Sequence, residues 1–476
     1  MLVIALAIGA LTRLWQLTSS SVYVDEAHTF AVAAEPWHNM LATLIYHDYH
    51  PPLFYAVTHV LLAFGWAPAA LRFATAPLAL VTTAAAWGIG RRLFGPIAGG
   101  IAAILVAVDP SAILWDRIYR MYVVLDALVA LSWWLILAAQ DSRGMRRTLL
   151  WIAFAICAIA QPYVHYLGGL DVACQAVYAL TRVRAAWPVL AGAALSVLGF
   201  VPWIPAVRIQ YPGGGLVAGT AALPVEWWTL ARDAVLAGTP LAWIQAAGFD
   251  VAVTLAVVGI CVWAAFAARS SILPFWLLLP LAQVILSVVT GKFVAVPRYL
   301  LPALPVLAIG IGALVQLLLL SHLRAAGLVL CACALALFGF CATNVLFDPR
   351  YQFPDWNIVR SIFSQGAQPG DIVVFDQGYS AEVFANDPTF VRHEIAAPGS
   401  VADIPSTLAW LQARPGRRVW YVENQYYYVD PARAIAGALE NARPQVGQWL
   451  EPRVELSDRV YVALFGPERW AHASSR

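Results

Sequence analysis

Long apolar runs separated by short polar breaks fill the first 346 positions of the chain. A helix needs about 20 mostly apolar residues to cross the hydrocarbon core of a bilayer. On this criterion the pattern predicts eleven membrane-spanning helices. They are predicted at 1–17, 70–90, 96–115, 121–140, 148–164, 166–181, 187–207, 249–268, 272–291, 298–320 and 325–346.

The pattern changes after residue 346, where charged residues become as frequent as in water-soluble proteins. We therefore predict two domains, a transmembrane domain at 1–346 and an extracytoplasmic α/β domain at 347–476. Alternation and turn residues predict three strands and three helices in the second domain. The strands are Asp371–Phe375, Arg418–Val422 and Arg459–Phe465, and the helices are Asp355–Gln365, Ser400–Ala413 and Pro431–Glu440.

The composition of the 476 residues agrees with this division: 61% are hydrophobic and only 12% are charged. A soluble globular protein has about 25% charged residues, so the composition excludes a water-soluble enzyme and a disordered chain. The predicted fold class is an α-helical polytopic membrane protein with a C-terminal soluble α/β domain. The lipid bilayer is therefore a predicted partner. The net charge of +2 does not indicate nucleic-acid binding.

Arginines in short loops predict the orientation, because such loops face the cytoplasm. With eleven spans, nine arginines fall on one side, which places the N-terminus in the cytoplasm and the C-terminal domain outside the inner (plasma) membrane. The first helix is interpreted as a retained span, not a signal peptide. The nine are Arg91, Arg92, Arg143, Arg146, Arg147, Arg182, Arg184, Arg269 and Arg324.

Two long segments share the outer side with the C-terminal domain. The segment 18–69 contains apolar, aromatic stretches broken by Pro and His, which are typical of interfacial helices. The segment 208–248 opens with a glycine-rich turn at Tyr211–Gly215 and continues with an interfacial aromatic cluster at Glu226–Trp228.

Ionisable residues at membrane depth are costly and mark functional sites by default. In this chain they gather at the predicted outer ends of the helices. Each also has a structural explanation: a helix cap for Asp25 and Glu26, lipid-headgroup contacts for Arg117 and Arg120, an internal salt bridge for Asp126. The candidates are Asp25, Glu26, Asp48, His50, Arg117, Tyr119, Arg120, Asp126, His165, Lys292, Arg298 and Tyr299.

The residue types suggest a chemistry. A carboxylate can act as a general base towards a hydroxyl, and an arginine can hold a phosphate through paired hydrogen bonds. A carboxylate beside a cationic site at the lipid–water boundary suits a substrate with a phosphate head and a hydrocarbon tail. A lipid-phosphate-linked sugar is such a substrate.

Five short motifs, in order along residues 24–302, resemble the GT-C superfamily of integral membrane glycosyltransferases. The resemblance is to the bacterial branch related to protein O-mannosyltransferases and the lipid A aminoarabinose transferase. The motifs are Val24-Asp25-Glu26-Ala27, His50-Pro51-Pro52-Leu53-Phe54-Tyr55, Gly90-Arg91-Arg92-Leu93-Phe94-Gly95, Arg120-Met121-Tyr122-Val123-Val124-Leu125-Asp126 and Pro297-Arg298-Tyr299-Leu300-Leu301-Pro302.

The resemblance implies an inverting glycosyltransferase that uses a polyprenyl-phosphate sugar donor on the outer face of the membrane. Asp25 matches the family's acidic position after the first helix, assigned as the catalytic base, and Glu26 matches its neighbour. Asp126 matches a further acidic position. Arg298 and Tyr299 match the Arg-Tyr pair near the donor phosphate.

One motif departs from the aminoarabinose branch: His50 stands before Pro-Pro where that branch has Lys, so a permanent charge at the phosphate is lost there. His-Pro-Pro is instead usual in the mannosyltransferase-like members. The donor's sugar remains undetermined. The acceptor is a lipid, a cell-wall glycan or a protein.

No cofactor is predicted as a requirement, although a divalent metal stays an open alternative. Asp25, Glu26, Asp48 and His50 supply oxygen and nitrogen ligands within one segment, but their spacing matches no metal signature. The six cysteines all lie in apolar stretches and predict packing, not a metal site. The transmembrane domain has no glycine pattern typical of a nucleotide-sugar site.

Three other functions remain open at this stage. A transporter or flippase of a lipid-linked sugar would use the same intramembrane charges as a substrate path. However, the sequence shows no internal repeat, which many transporters have. A non-catalytic scaffold would use the soluble domain to bind a partner. A lipid-headgroup transferase would need a metal-bound nucleophile in the soluble domain, and the sequence shows no such cluster there.

Overall fold

The structure is a computed structural model. It describes residues 1–210, 223–246, 248–268, 271–290, 294–426, 429–450 and 459–467. Among the features predicted above, Lys292, Arg269 and the Tyr211–Gly215 turn lie outside the described residues.

Helices dominate the described part of the chain. The first thirteen are α1 (Leu2–Leu14), α2 (Val24–Ala34), α3 (Trp37–Tyr46), α4 (Pro52–Ala63), α5 (Pro68–Leu71), α6 (Thr75–Leu93), α7 (Pro96–Ala107), α8 (Pro110–Asp116), α9 (Met121–Asp141), α10 (Gly144–Val164), α11 (Tyr166–Leu180), α12 (Val183–Phe200) and α13 (Ile204–Gln210). The next eight are α14 (Leu223–Val235), α15 (Leu241–Ile244), α16 (Phe249–Ala267), α17 (Leu273–Trp276), α18 (Leu278–Thr290), α19 (Pro297–Leu300), α20 (Leu304–Leu319) and α21 (Arg324–Phe347).

The C-terminal part mixes helices and strands. Its helices are α22 (Trp356–Gly366), α23 (Gly378–Glu382), α24 (Ile404–Gln412) and α25 (Ala434–Ala442). Its strands are β1 (Ile372–Phe375), β2 (Glu394–Ala396), β3 (Val419–Glu423), β4 (Gln445–Leu450) and β5 (Tyr461–Phe465). Short 3₁₀ turns occur at 72–74, 201–203, 301–303, 349–351 and 401–403.

The chain is a multi-pass membrane protein. Within the described residues, eight helical segments are long and apolar enough to span a bilayer, and the pair α7–α8, bent by 50°, makes a ninth if it is counted as one span. These correspond to nine of the eleven predicted spans. The other two form shorter helices, α1 with 13 residues and α11 with 15.

Local backbone geometry explains why these two helices are short. Helix α1 ends at Leu14, and two residues later Gln16 has a positive φ of 47°, which a helix does not allow. Helix α11 begins only after His165, whose φ of −156° and ψ of 142° are extended. The side chain of His165 then accepts a hydrogen bond from the backbone N–H of Leu167 and caps α11.

Two compact units divide the chain. The first contains Met1–Leu17 and Val32–Phe347, and the second contains Thr18–Ala31 and Asp348–Arg476. Small residues allow close helix packing in the first unit. A side chain at Gly312 of α20, for example, would collide with the backbone of Ala98 on α7.

The second unit contains a five-stranded sheet of order β2-β1-β3-β5-β4. Strands β2, β1 and β3 are parallel, whereas β5 is antiparallel to both β3 and β4. Every residue of β1 and β3 is buried, as expected for central strands covered on both faces. The three predicted strands correspond to β1, β3 and β5.

Three elements of this unit were not predicted: β2, β4 and α23. Strand β4 is almost entirely exposed and lacks the alternation of apolar and polar residues by which a strand is predicted. Helix α22 follows its prediction, and the Asp355 side chain caps it by accepting a hydrogen bond from the N–H of Asn357.

Residues 18–31 are grouped differently in the structure and in the sequence analysis. The predicted boundary places them in the transmembrane domain, whereas in the structure they group with the described part of the chain after Phe347. The reason is a set of specific contacts that Ser21, Tyr23 and His28 make with the C-terminal part of the chain. Hydropathy does not encode such contacts.

Candidate active site

A cluster of cationic and aromatic side chains forms in the first unit around Arg298. The short helix α19 starts with Pro297, which presets the backbone for a helix start. The next residue, Arg298, places its guanidinium carbon 5.2 Å from the ring centre of Tyr299 and 5.7 Å from that of Trp115. The ring of Tyr122 lies 6.0 Å away. Aromatic faces stabilise a cation at these distances.

A second arginine joins the cluster at the start of α9. Arg120 is the N-cap residue of this helix, is only 3% exposed, and lies 5.9 Å from the ring of Tyr122. It also lies near Tyr55, where its positive charge acts to lower the pKa of the phenol. Two guanidinium groups thus share Tyr122, which brings two fixed positive charges into one partly apolar site. Such a site favours an anion.

His165 forms another wall of the cluster. Its ring centre lies 4.9 Å from that of Tyr299 and 6.2 Å from that of Tyr122. Burial lowers the pKa of His165 well below its usual value, and His50, Arg298 and Arg120 act in the same direction. The neutral imidazole then accepts the N–H of Leu167 at 3.2 Å, which orients the ring.

Asp48 and His50 form a hydrogen-bonded pair beside His165. The Nδ1 of His50 lies 2.6 Å from Oδ1 of Asp48, and the ring centres of His50 and His165 are 6.1 Å apart. Tyr55 donates its hydroxyl to Oδ2 of Asp48 at 2.6 Å. Burial, reinforced by the Asp48 carboxylate, raises the pKa of Tyr55 well above its usual value, so the phenol keeps the proton that it donates.

The structure therefore brings six predicted residues together: Asp48, His50, Arg120, His165, Arg298 and Tyr299. We call these six, with Tyr55, Trp115 and Tyr122, the cationic–aromatic cluster. Sequence reasoning missed the last three as site residues. Their signal was an aromatic residue two to five positions away from His50, Arg117 or Arg120.

Arg117 and Tyr119 have other neighbours. Arg117 donates to the carbonyl of Thr12 at 3.3 Å. The hydroxyl of Tyr119 lies 3.2 Å from that of Thr58, and its ring packs 4.9 Å from that of Phe54. These contacts join helices of the bundle and support a structural role for both residues.

Asp126 lies inside the bundle on α9 and is 4% exposed. Its neighbours are Thr82 on α6 and two further carboxylates, Asp109 and Asp116. An internal salt bridge is the predicted structural explanation for Asp126. The ion pair observed in this region is instead Arg13 with Asp116, at 3.1 Å.

Asp25 and Glu26 lie in the second unit, in the first turn of α2. Glu26 is fully buried, and its Oε2 accepts the backbone N–H of Tyr23 at 2.9 Å, which stabilises the start of the helix. Asp25 is partly exposed, and its backbone carbonyl accepts the Thr29 hydroxyl at 3.0 Å. These adjacent carboxylates thus have different environments: Glu26 caps the helix, and Asp25 is partly exposed.

Metal ligands do not gather among the described residues: no group there of three or more His, Cys, Asp or Glu side chains could hold an ion. Asp48 and His50 lie together and provide two side chains of these types. The open alternative of a divalent metal stays a prediction.

Comparison with known proteins gives a fold but no sequence match. No family model and no curated protein matches the chain. ArnT from Cupriavidus metallidurans, solved bound to undecaprenyl phosphate, is similar with a TM-score of 0.55, 15% identity and 97% of each chain covered. The archaeal oligosaccharyltransferase AglB from Archaeoglobus fulgidus, solved with an inhibitory peptide and a dolichol-phosphate, is similar with a TM-score of 0.55 and 11% identity.

The match to AglB covers 99% of this chain and 74% of that one. The mycobacterial arabinofuranosyltransferase AftD is similar with a TM-score of 0.54 and 14% identity, over 98% of this chain and 40% of that one. All three are glycosyltransferases of the GT-C superfamily. The chain therefore shares the fold of these three proteins, which is the fold that its motifs predicted.

Proposed function

We propose that the protein is an inverting glycosyltransferase. It moves a sugar from a polyprenyl-phosphate donor to an acceptor hydroxyl on the outer face of the membrane. The observation that carries this proposal is the cationic–aromatic cluster, in which Arg120 and Arg298 share the ring of Tyr122. The fold neighbours solved with undecaprenyl phosphate and with a dolichol-phosphate support the donor class.

Arg298 and Arg120 hold the donor phosphate in this proposal. Each guanidinium offers a planar set of N–H donors that matches phosphate oxygens. The rings of Trp115, Tyr122 and Tyr299 provide apolar surface beside the charges, which suits a phosphate that carries a hydrocarbon chain. His50 donates its Nδ1–H to the Asp48 carboxylate at 2.6 Å, which orients the ring in this site. Lys292 stays a predicted contact.

The reaction is a single displacement. The acceptor oxygen attacks the anomeric carbon while the bond from that carbon to the phosphate oxygen breaks. The electron pair leaves with the polyprenyl phosphate, whose developing negative charge the two arginines stabilise. The acceptor proton passes to a carboxylate base. Attack opposite to the leaving group inverts the anomeric centre.

Asp25 is the proposed base. It matches the acidic position of the resembling motif, and it is partly exposed, whereas the neighbouring Glu26 is buried as a helix cap. Asp126 also matches an acidic position and stays a predicted catalytic residue.

A transfer assay on membranes tests the donor site. Wild type is incubated with a panel of radiolabelled polyprenyl-phosphate sugars and candidate acceptors, beside Arg298→Gln and Arg146→Gln at equal expression. Arg146 is an exposed residue of α10 that lies outside the cluster, so Arg146→Gln is the matched control. We expect Arg298→Gln to lower turnover by at least about 100-fold, the scale of losing one transition-state contact.

Two outcomes contradict the proposal. Equal transfer by wild type and Arg298→Gln removes Arg298 from the donor site. Absence of transfer with every donor in the panel, in membranes that contain the folded protein, contradicts the glycosyltransferase assignment itself.

A further inference from the structure

The segment 18–31 is anchored to the C-terminal part of the chain by contacts of Ser21, Tyr23 and His28. At its start, Ser21 accepts the backbone N–H of Trp356 on its hydroxyl at 2.7 Å, and its own N–H donates to Asp355 at 3.3 Å. In its middle, the ring of Tyr23 packs 4.4 Å from that of Phe353. The anchoring thus begins four residues before Asp25.

A second anchor lies on the other side of Asp25. The Nδ1 of His28 lies 3.0 Å from the Glu382 carboxylate, and its ring packs edge-on against Tyr379 with ring centres 4.5 Å apart. His28 is 13% exposed and Glu382 31%, so the pair is partly shielded from water. Because His28 lies three residues after Asp25 in α2, this contact holds the same helical turn.

The anchors sit at a recognisable place in the α/β fold. From β1 the chain crosses to β2 on one side of it and then returns to β3 on the other side. In open α/β sheets, ligands bind at such a reversal, outside the carboxyl ends of the strands. Here the residues that follow these strand ends contact the segment 18–31. Gln425, after β3, donates to the Tyr23 hydroxyl at 3.3 Å. Tyr379 and Glu382 of α23, after β1, contact His28.

The ligand position of the C-terminal domain is thus occupied by the chain's own segment 18–31. We propose that this domain is a positioning element for Asp25, with Glu382 and Tyr379 as positioning residues that act through His28. The inference rests on the proposed function, because it concerns the residue assigned there as the base. Holding both sides of Asp25 restricts its backbone, and small displacements of a catalytic group cost large factors in rate.

The test compares Glu382→Ala with Glu394→Ala in the full-length protein. Glu394 is an exposed residue of the same domain that pairs with Arg414 and Arg417, so its loss removes ion pairs without touching the segment. We expect Glu382→Ala to lower kcat about tenfold with the donor KM unchanged, and Glu394→Ala to match wild type. His28→Ala should lower kcat similarly, and the double variant should be no worse than either.

Hydrogen exchange provides a readout that does not depend on catalysis. Backbone amides of residues 21–31 should exchange at least several-fold faster in Glu382→Ala than in wild type or Glu394→Ala, because the anchor of α2 is released. Glu382→Asp, which keeps the carboxylate, should recover part of both the protection and the rate.

The outcomes separate this inference from the proposed function. If wild type transfers sugar, Asp25→Asn does not, and Glu382→Ala equals wild type, the positioning role is overturned while the function stands. Faster exchange at 21–31 with unchanged kcat likewise overturns it. If wild type transfers no sugar, the proposed function has failed, and the exchange data alone then report whether Glu382 holds the segment.

Discussion

Asp25 and Glu26 show how two adjacent carboxylates separate into different roles. Glu26 is enclosed and accepts the N–H of Tyr23, whereas Asp25 keeps a partly exposed side chain. Both lie in one sequence motif, and the sequence alone could not distinguish their roles, because the cap depends on where the Tyr23 N–H points. Their environments favour Asp25 as the base and Glu26 as a structural residue.

Asp376, at the end of β1, is fully buried, and its Oδ2 accepts the N–H of Asn424 at 3.0 Å. Burial raises the pKa of Asp376 well above its usual value, and Glu423 and Asp430 act in the same direction. A pKa that is higher in the folded than in the unfolded state means that ionisation opposes folding. The domain therefore loses stability as pH rises through the folded-state pKa.

Asp376→Asn should remove this loss, because an amide keeps an acceptor for Asn424 and cannot ionise. The measurement is hydrogen exchange of residues 371–377 in the full-length protein from about pH 5 to about pH 9, corrected for intrinsic rates. We expect protection to fall with pH in wild type and to stay flatter in the variant. The same dependence of protection on pH in wild type and Asp376→Asn would contradict the assignment of this stability loss to Asp376. Glu394→Gln is the control, since nearby arginines lower the pKa of Glu394 and leave no slope in that range.

Breaks within the helices shape the first unit more than the lengths of its apolar runs do. The run predicted as one span at 96–115 is in fact α7 and α8, bent by 50°. Asp109 causes the break, since its side chain caps α8 by accepting the N–H of Ala112 and Pro110 opens the new helix. Hydropathy averages over such a break, although the Asp-Pro pair marks it.

Arg13 on α1 and Asp116 on α8 form a buried ion pair at this bend, with side chains 1% and 3% exposed. Arg13 also donates to the carbonyls of Val106 and Ala107 at the end of α7. Removing one partner of a buried pair leaves an uncompensated charge and costs about 3–5 kcal/mol. Asp116→Asn should lower the unfolding temperature accordingly in detergent.

The matched control for that experiment is the surface pair of Arg92 and Asp141, whose side chains are 31% and 61% exposed. Asp141→Asn should change stability by about 1 kcal/mol or less, because water screens an exposed pair. Equal melting shifts for the two variants would show that the Arg13–Asp116 pair does not hold the bend.

Over the whole molecule, the predicted fold class was confirmed, and nine of the eleven predicted spans correspond to helices long enough to cross. Apolar runs and buried parallel strands leave signals in the local sequence. The aromatic walls around Arg298, and the anchoring of His28 on Glu382, join residues far apart in the chain. Such pairs have no local signature in a single sequence, and for that reason they could not be predicted.

The orientation of the protein stays a prediction that labelling can test. In a Cys333→Ser background, single cysteines replace Arg146 after α9 and Arg392 before β2, both exposed. A membrane-impermeant maleimide added to intact spheroplasts should label Arg392→Cys and not Arg146→Cys, which should react only after lysis. The reverse pattern would place the C-terminal domain in the cytoplasm and contradict transfer on the outer face.

The most direct test of the central claim is the stoichiometry of the reaction catalysed by the purified full-length protein. Wild type and Asp25→Asn are given a radiolabelled polyprenyl-phosphate sugar with its acceptor, and both sugar transfer and free polyprenyl phosphate are measured. We expect wild type to release one polyprenyl phosphate for each sugar transferred with inversion, and Asp25→Asn to do neither. Transfer from a nucleotide sugar in its place, or equal turnover by Asp25→Asn, would contradict the account.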